Sequence, residues 1–440
     1  MAEKTTRRRS AVPATRIERL LRFGMLSGEL ALTTALAGAR QLAGGRRPDL
    51  LSSVLTPANA DLLARRLATL RGPAMKVGQM LSLQGDDILP AEFRNALDML
   101  RSQAYAMPET QLKRVLGREY GKGWESRFKQ FSLEPVAAAS IGQVHRVTRA
   151  GGRELALKIQ YPGVAKSVDS DVDNLATLLR GFNFLPVPLD VPAIVAEAKR
   201  QLRLETDYEN EARNLERYNR LVSDMPGVLV PRVDRSLSTR RILALDWMEG
   251  EPLETLSSEA VPQATRNAVG RTLQLLMFRE LFDFQFMQSD PNFANYLYRP
   301  ATQELVLLDL GAVCEFSAEF VDRYRRICRS LLEGNEGGVR DAAFEIGYAH
   351  PGDPEERTRA AVEIIRLVCE PLVHRGPYDF AGSRLVARAR DLGMAVAFRE
   401  GLRSPPAETI FLHRKLVGTF LICARMQARV NVHALIERFV

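Results

Sequence analysis

This sequence predicts an α+β chain of two lobes, a small mixed lobe followed by a larger helical one. Three observations lead there. Hydrophobic spacing switches from helical to alternating near residue 131, and it turns mostly helical again after Pro262. A carboxylate, an amide and a second carboxylate then stand at Asp290, Asn295 and Asp309, the last closing an apolar run. At 440 residues the chain exceeds one small core and suits two or three packed units.

Residues 1–50 read as a basic arm and an amphipathic helix. Over residues 1–22, Lys4, Arg7, Arg8, Arg9, Arg16, Arg19 and Arg22 stand against Glu3 and Glu18, so this arm holds +5 of the net +8. The remainder is near balance, which argues against a nucleic-acid-binding surface. The arm suits an anionic lipid membrane surface or a partner. Residues 23–39 are apolar but fall short of the roughly 20 residues of a span, and they contain Glu29. A helix lying on a membrane or packing on the protein is expected there, with no signal peptide. Residues 51–130 predict a helical extension punctuated by Pro57, Pro73, Pro90 and Pro108. Within it Lys76 and Gln79 lie at i and i+3 and share one helix face, which Gly78 thins.

Residues 131–250 predict the small lobe. Val144–Val147, a turn at Gly151-Gly152, and Glu154–Tyr161 form a β-hairpin in which Leu155, Leu157, Ile159 and Tyr161 share a face. Lys158 faces the other way, in a strand otherwise built for burial, where a lysine is costly unless its charge is compensated. A single charged helix is expected over 191–222, carrying Glu205, Asp207, Glu209 and Glu211. Four acids so close must meet cations or solvent, and Glu211 is the choice as partner of Lys158. Ala137, Ala138, Ala139 and Ser140 make a small-residue loop ahead of the hairpin, where backbone amides could approach phosphate oxygens. Alanines resist φ > 0, so a tight packing turn is the competing account. Arg241–Leu245 predicts another strand, running into Asp246, Trp247 and Met248.

Residues 251–440 predict the helical lobe and hold the remaining chemistry. The order Asp290, Asn295, Asp309 is the one that phosphoryl transfer from ATP demands: a carboxylate at the attacked phosphate, then an amide and a carboxylate for magnesium. Oxygen donors of this kind suit a hard cation. The four cysteines form no CxxC pair and the histidines show no metal spacing, so buried free thiols are expected.

Lys76-Val77-Gly78-Gln79, Ala137 to Ser140, Lys158 to Val164, Glu205-Thr206-Asp207, Asp290 to Asn295 and Leu412-His413-Arg414-Lys415 together closely resemble the UbiB (ADCK) family of atypical kinases. The resemblance runs from about residue 70 to the C-terminus. It implies a two-lobed protein-kinase-like fold with an added helical N-terminal KxGQ extension. Lys76 and Gln79 would then lie over the active site near Glu205 and Asp207, closing the route of a peptide substrate. It also implies that Lys158 contacts phosphates and Glu211 orients it. Asp290, Asn295 and Asp309 would be the catalytic and magnesium set, and Leu245 to Met248 the adenine hinge. Family members support ubiquinone biosynthesis, so the implied partners are ATP/ADP, quinone-biosynthesis proteins or prenylated phenol intermediates. The implied location is the cytoplasm, at the periphery of the inner membrane.

Two readings compete with an ATPase or small-molecule kinase of this type. A conventional Ser/Thr protein kinase needs a long activation segment and an Ala-Pro-Glu anchor. Here Asp309-Leu310-Gly311 leads almost directly into a helical stretch around Phe320, and Gln288-Ser289 replaces the usual His-Arg before the aspartate. A nucleotide-gated, non-catalytic scaffold or lipid chaperone would place the function in the basic arm and residues 23–39 instead.

Overall fold

The computed structural model describes residues 106–139, 141–181, 191–400 and 407–440, together with Met25, Gly28, Glu29 and Thr33. In chain order come helix α1 (Glu109–Tyr120) and strands β1 (Phe128–Phe131), β2 (Ala137–Ala138), β3 (Gly142–Arg149) and β4 (Glu154–Gln160). Helices α2 (Val164–Gly181), α3 (Val191–Glu205) and α4 (Tyr208–Leu221) precede β5 (Val228–Leu229) and β6 (Ile242–Asp246). Next are β7 (Glu251–Pro252), α5 (Gln263–Phe282), β8 (Phe286–Gln288), β9 (Tyr296–Arg299), β10 (Glu304–Leu307) and β11 (Val313–Glu315). Helices α6 (Ala318–Leu332), α7 (Glu336–Ile346), α8 (Glu355–Val368), α9 (Glu370–Val373), α10 (Leu385–Glu400) and α11 (Ala407–Arg425) follow. The chain forms two units: one runs to Arg213 and adds Arg232–Trp247, the other comprises Asn214–Pro231 and Met248–Val440.

The first unit is built on a sheet in the order β1-β3-β4-β6, with β2 also paired to β3. Alternation along β4 buries Leu155, Leu157 and Ile159 and leaves Ala156 and Lys158 half-buried on the other face. Gly152 takes φ 86° in the hairpin turn, and the Arg149–Arg153 backbone pair closes it. The sheet starts earlier than the expected boundary at 131, because Phe128–Phe131 already pairs with β3. Phe128 and Phe131 pack edge-on against Trp124, and these rings anchor that edge.

The continuous helix expected over 191–222 is instead two helices, α3 and α4. Thr206 and Asp207 break it, because the Asp207 carboxylate accepts the Asn210 N–H at 2.9 Å and caps α4. Glu209 and Glu211 then fall in the first turn, where acidic residues complement the helix dipole. Glu205 ends α3, so Glu205 and Glu209 do not share one helix face.

The second unit is mainly helical around α5, which is buried on nearly all sides. Its core joins Phe278, Leu281 and Phe282 of α5 to Phe320, Ile327 and Leu331 of α6 and to Leu412, Phe420 and Cys423 of α11. Two ladders position the loops that matter. One is β5-β10-β9-β7, and the other pairs β8 with β11. Among the described residues no helix is long and apolar enough to cross a membrane.

Candidate active site

Lys158 sits mid-strand in β4, opposite Val144 of β3 and Leu243 of β6, so its Cα cannot wander. Its Nζ lies 2.9 and 3.0 Å from the two carboxylate oxygens of Glu211. The Glu211 side chain is 1% exposed and that of Lys158 13%, so neither charge is tolerable without the other. The Tyr208 ring is 5.3 Å from Nζ and adds a π-face to the ammonium. The Asp207 cap makes this possible, since it starts α4 one turn before Glu211. What results is a fixed positive point charge on a rigid strand, suited to neutralising phosphate oxygens.

The alanine loop forms a tight β2–β3 hairpin rather than an open glycine loop. Ala137 pairs with Val144 and Ala138 with Gln143, and the Ala139 N–H donates to the Gly142 carbonyl at 2.9 Å. Gly142 is required there: a Cβ would lie 2.4 Å from the Ile159 carbonyl oxygen and 3.0 Å from the Tyr208 hydroxyl. Leu245 and Asp246 end β6. Trp247, whose N–H donates to the Glu154 carbonyl, is the last residue of the first unit, and Met248 opens the second. Lys76, Gln79 and Ser140 lie outside the described residues. Glu205 is buried at the end of α3, whereas Asp207 is exposed and acts as the α4 cap.

In the second unit, strand register gathers the other predicted residues. Tyr296 pairs with Leu307, and the Leu308 N–H donates to the Asn295 carbonyl at 2.9 Å, which brings Asn295 beside the approach to Asp309. Gln288 pairs with Val313, and the Ser289 N–H donates to the Ala312 carbonyl, so Asp290 emerges where the β8–β11 ladder ends. The Asn295 amide N–H donates to the Asp290 carbonyl at 2.7 Å, directing the amide oxygen elsewhere. Asp309 accepts the Gly311 N–H at 2.9 Å. Leu310 is fully buried and its carbonyl accepts from the Asn214 amide.

Sequence reasoning missed what α11 does. The Arg414 guanidinium donates to Asp290 Oδ1 at 2.6 Å. Lys415, one residue on, is 2% exposed and lies 2.7 Å from Glu280 Oε2, with Glu280 itself fully buried. Burial alone would pull the Lys415 ammonium down, but the Glu280 carboxylate and Tyr296 more than offset this and raise it above its ordinary value. Glu280 Oε1 also accepts the Tyr218 hydroxyl at 2.7 Å and the Gln288 N–H at 2.9 Å. One buried carboxylate thus ties α4, α5, α11 and the strand before Asp290 together. The motif Leu412 to Lys415 was visible in the sequence, but nothing local joins it to a loop 124 residues away.

Asn295 and Asp309 offer an amide oxygen and a carboxylate from adjoining strand ends, donors of the kind a hard cation such as magnesium takes. Among the described residues no three His, Cys, Asp or Glu side chains gather into a protein-only metal site. Cys314, Cys328, Cys369 and Cys423 are all free thiols.

The fold is kinase-like and of the α+β class. A solved structure described as the Rv3197–erythromycin complex from Mycobacterium tuberculosis aligns with a TM-score of 0.63 and 26% identity, covering 85% of this chain and 93% of its own. The family described as ABC1 atypical kinase-like domain matches residues 99–343. The atypical kinase COQ8, mitochondrial, of Saccharomyces cerevisiae is 35% identical over 98% of this chain and 85% of its own length. The rat atypical kinase COQ8B, mitochondrial, is 37% identical over 98% of this chain and 81% of its own. The chain therefore belongs to the ABC1 family of atypical kinases, the UbiB (ADCK) group.

Proposed function

We propose that this protein is a magnesium-dependent atypical kinase or ATPase that supports synthesis of a quinone lipid at a membrane surface. The observation that carries the reading is the enclosed Lys158–Glu211 ion pair, a cation fixed on a strand. Glu211 orients Lys158 toward the α- and β-phosphates of ATP, and small residues Ala137 to Ser140 let backbone amides approach the same phosphates. Leu245 to Met248 supply the adenine contacts. Asp290 is the carboxylate at the attacked phosphate, and Asn295 and Asp309 would hold magnesium, which when bound neutralises phosphate charge. Lys76, Gln79, Glu205 and Asp207 restrict what reaches the site, and the basic arm with residues 23–39 meets anionic lipid.

The short run from Asp309 through β11 to α6 at Ala318 supports a small acceptor or water over a protein substrate. The test is ATP turnover by the full chain with and without cardiolipin-containing liposomes and a prenylated phenol mimic. Turnover that rises with both, and that is lost in Asp309→Asn but kept in Arg340→Gln, is the expected result. Phosphorylation of a general protein substrate in preference to these would overturn the reading.

A further inference from the structure

We propose that Arg414 is a positioning residue that orients the Asp290 carboxylate, taking over work that the two residues before Asp290 do not perform. The inference rests on the reading of Asp290 as the carboxylate at the attacked phosphate. The backbone and the side chain of Asp290 are held by different groups. Its carbonyl accepts two amide donors, Gln288 Nε2 at 2.8 Å and Asn295 Nδ2 at 2.7 Å, which fix the main chain. Its carboxylate receives the Arg414 guanidinium on Oδ1 at 2.6 Å. Gln288 and Ser289 are both buried and occupied with the framework: Gln288 Oε1 accepts from Lys415 at 3.2 Å, and the Ser289 N–H pairs with Ala312.

The guanidinium is delivered by a rigid element. Gly418 lies one turn after Arg414 on the same face of α11, and Pro291 packs so tightly there that a Cβ on Gly418 would come within 2.2 Å of Pro291 Cγ. Lys415 is locked between Glu280 and Gln288. The helix therefore cannot slide along the Asp290–Pro291 loop, and Arg414 meets Asp290 at a set height. Side-chain exposures of 20% and 19% keep the pair partly out of water, where a charge-assisted hydrogen bond has more force than at the surface. A carboxylate set in this way is preorganised before any acceptor arrives, and a displacement of about 1 Å at such a group costs on the order of 100-fold in rate.

The test compares the full-length protein with Arg414→Gln, Arg414→Lys, Asp290→Asn and the Asp290→Asn/Arg414→Gln double variant. Each is assayed for kcat, KM for ATP, magnesium-dependent nucleotide binding and far-UV circular dichroism. Arg414→Gln is expected to lower kcat by roughly 10- to 100-fold with KM and nucleotide binding little changed. Arg414→Lys should recover part of the rate, and the double variant should be no slower than Asp290→Asn alone. A wild-type kcat in Arg414→Gln, a rise in KM instead of a fall in kcat, or a loss that multiplies in full with Asp290→Asn would overturn the proposal. Failure of both Arg414 variants to fold would assign the residue to structure alone and overturn it equally. If Asp290→Asn itself turns over ATP like the wild type, the reading of Asp290 falls and takes this proposal with it. If Asp290→Asn is inactive while Arg414→Gln is normal, only the role of Arg414 is refuted.

Discussion

Lys415→Met should destabilise this protein more than almost any other single change in its second unit. The substitution keeps most of the side-chain volume but removes the ammonium lying 2.7 Å from Glu280 Oε2. Glu280 is fully buried, and it retains Tyr218 and the Gln288 N–H, both on Oε1. A buried carboxylate is then left with one compensated oxygen and no counter-charge. Removing one partner of such a pair costs about 3–5 kcal/mol, whereas replacing both by apolar groups is often neutral. The expected loss for Lys415→Met is therefore about 3–4 kcal/mol, reduced somewhat by the two remaining hydrogen bonds. Urea titration followed by circular dichroism would measure it. The double variant Lys415→Met/Glu280→Leu should recover at least half of the loss. A single-variant loss below 1 kcal/mol, or a double variant no more stable than Lys415→Met, would refute the claim that Lys415 holds Glu280 in the core.

Three further outcomes follow from the packing. Burial pushes His413 down from its ordinary 6.5 to about 4, while its Nε2 meets the Tyr348 hydroxyl. The unfolded chain therefore takes up a proton that the folded one refuses, so stability falls as pH drops from about 6.5 toward 4. The gap corresponds to about 3 kcal/mol, and His413→Gln should flatten that part of a pH–stability profile relative to wild type. Gly418→Ala places a methyl 2.2 Å from Pro291 Cγ. It should cost roughly 1–3 kcal/mol in a melting experiment and slow ATP turnover by moving the Asp290 loop. Gly142→Ala meets the Ile159 carbonyl oxygen at 2.4 Å, which cannot yield without loosening the β3–β4 ladder. It should reduce nucleotide affinity at least several-fold in a binding titration.

The parts of this architecture legible from sequence are those governed by local spacing. The β3–β4 hairpin follows from alternation across Leu155, Leu157 and Ile159 and from a glycine pair at the turn, where Gly152 does take positive φ. The separation of Asp290, Asn295 and Asp309 is likewise local, because two short ladders set it. The break between α3 and α4 is hidden in the sequence because acidic residues at helical spacing look continuous. An aspartate ahead of an acidic first turn is nevertheless a start signal, and Asp207 provides it. The Arg414–Asp290 and Lys415–Glu280 contacts were invisible for a different reason. They join segments far apart in the chain, and only the packing of α11 on the second unit's core selects which lysine and arginine turn inward.

A nucleotide held with magnesium is the central requirement of the proposed chemistry. Calorimetric titration of ADP into the full-length protein, with magnesium and with EDTA, tests this most directly when repeated on Asp309→Asn. The prediction is binding that requires magnesium and weakens at least 10-fold in Asp309→Asn, with the fold unchanged by circular dichroism. Binding that is absent, indifferent to magnesium, or equal in the two proteins would contradict it.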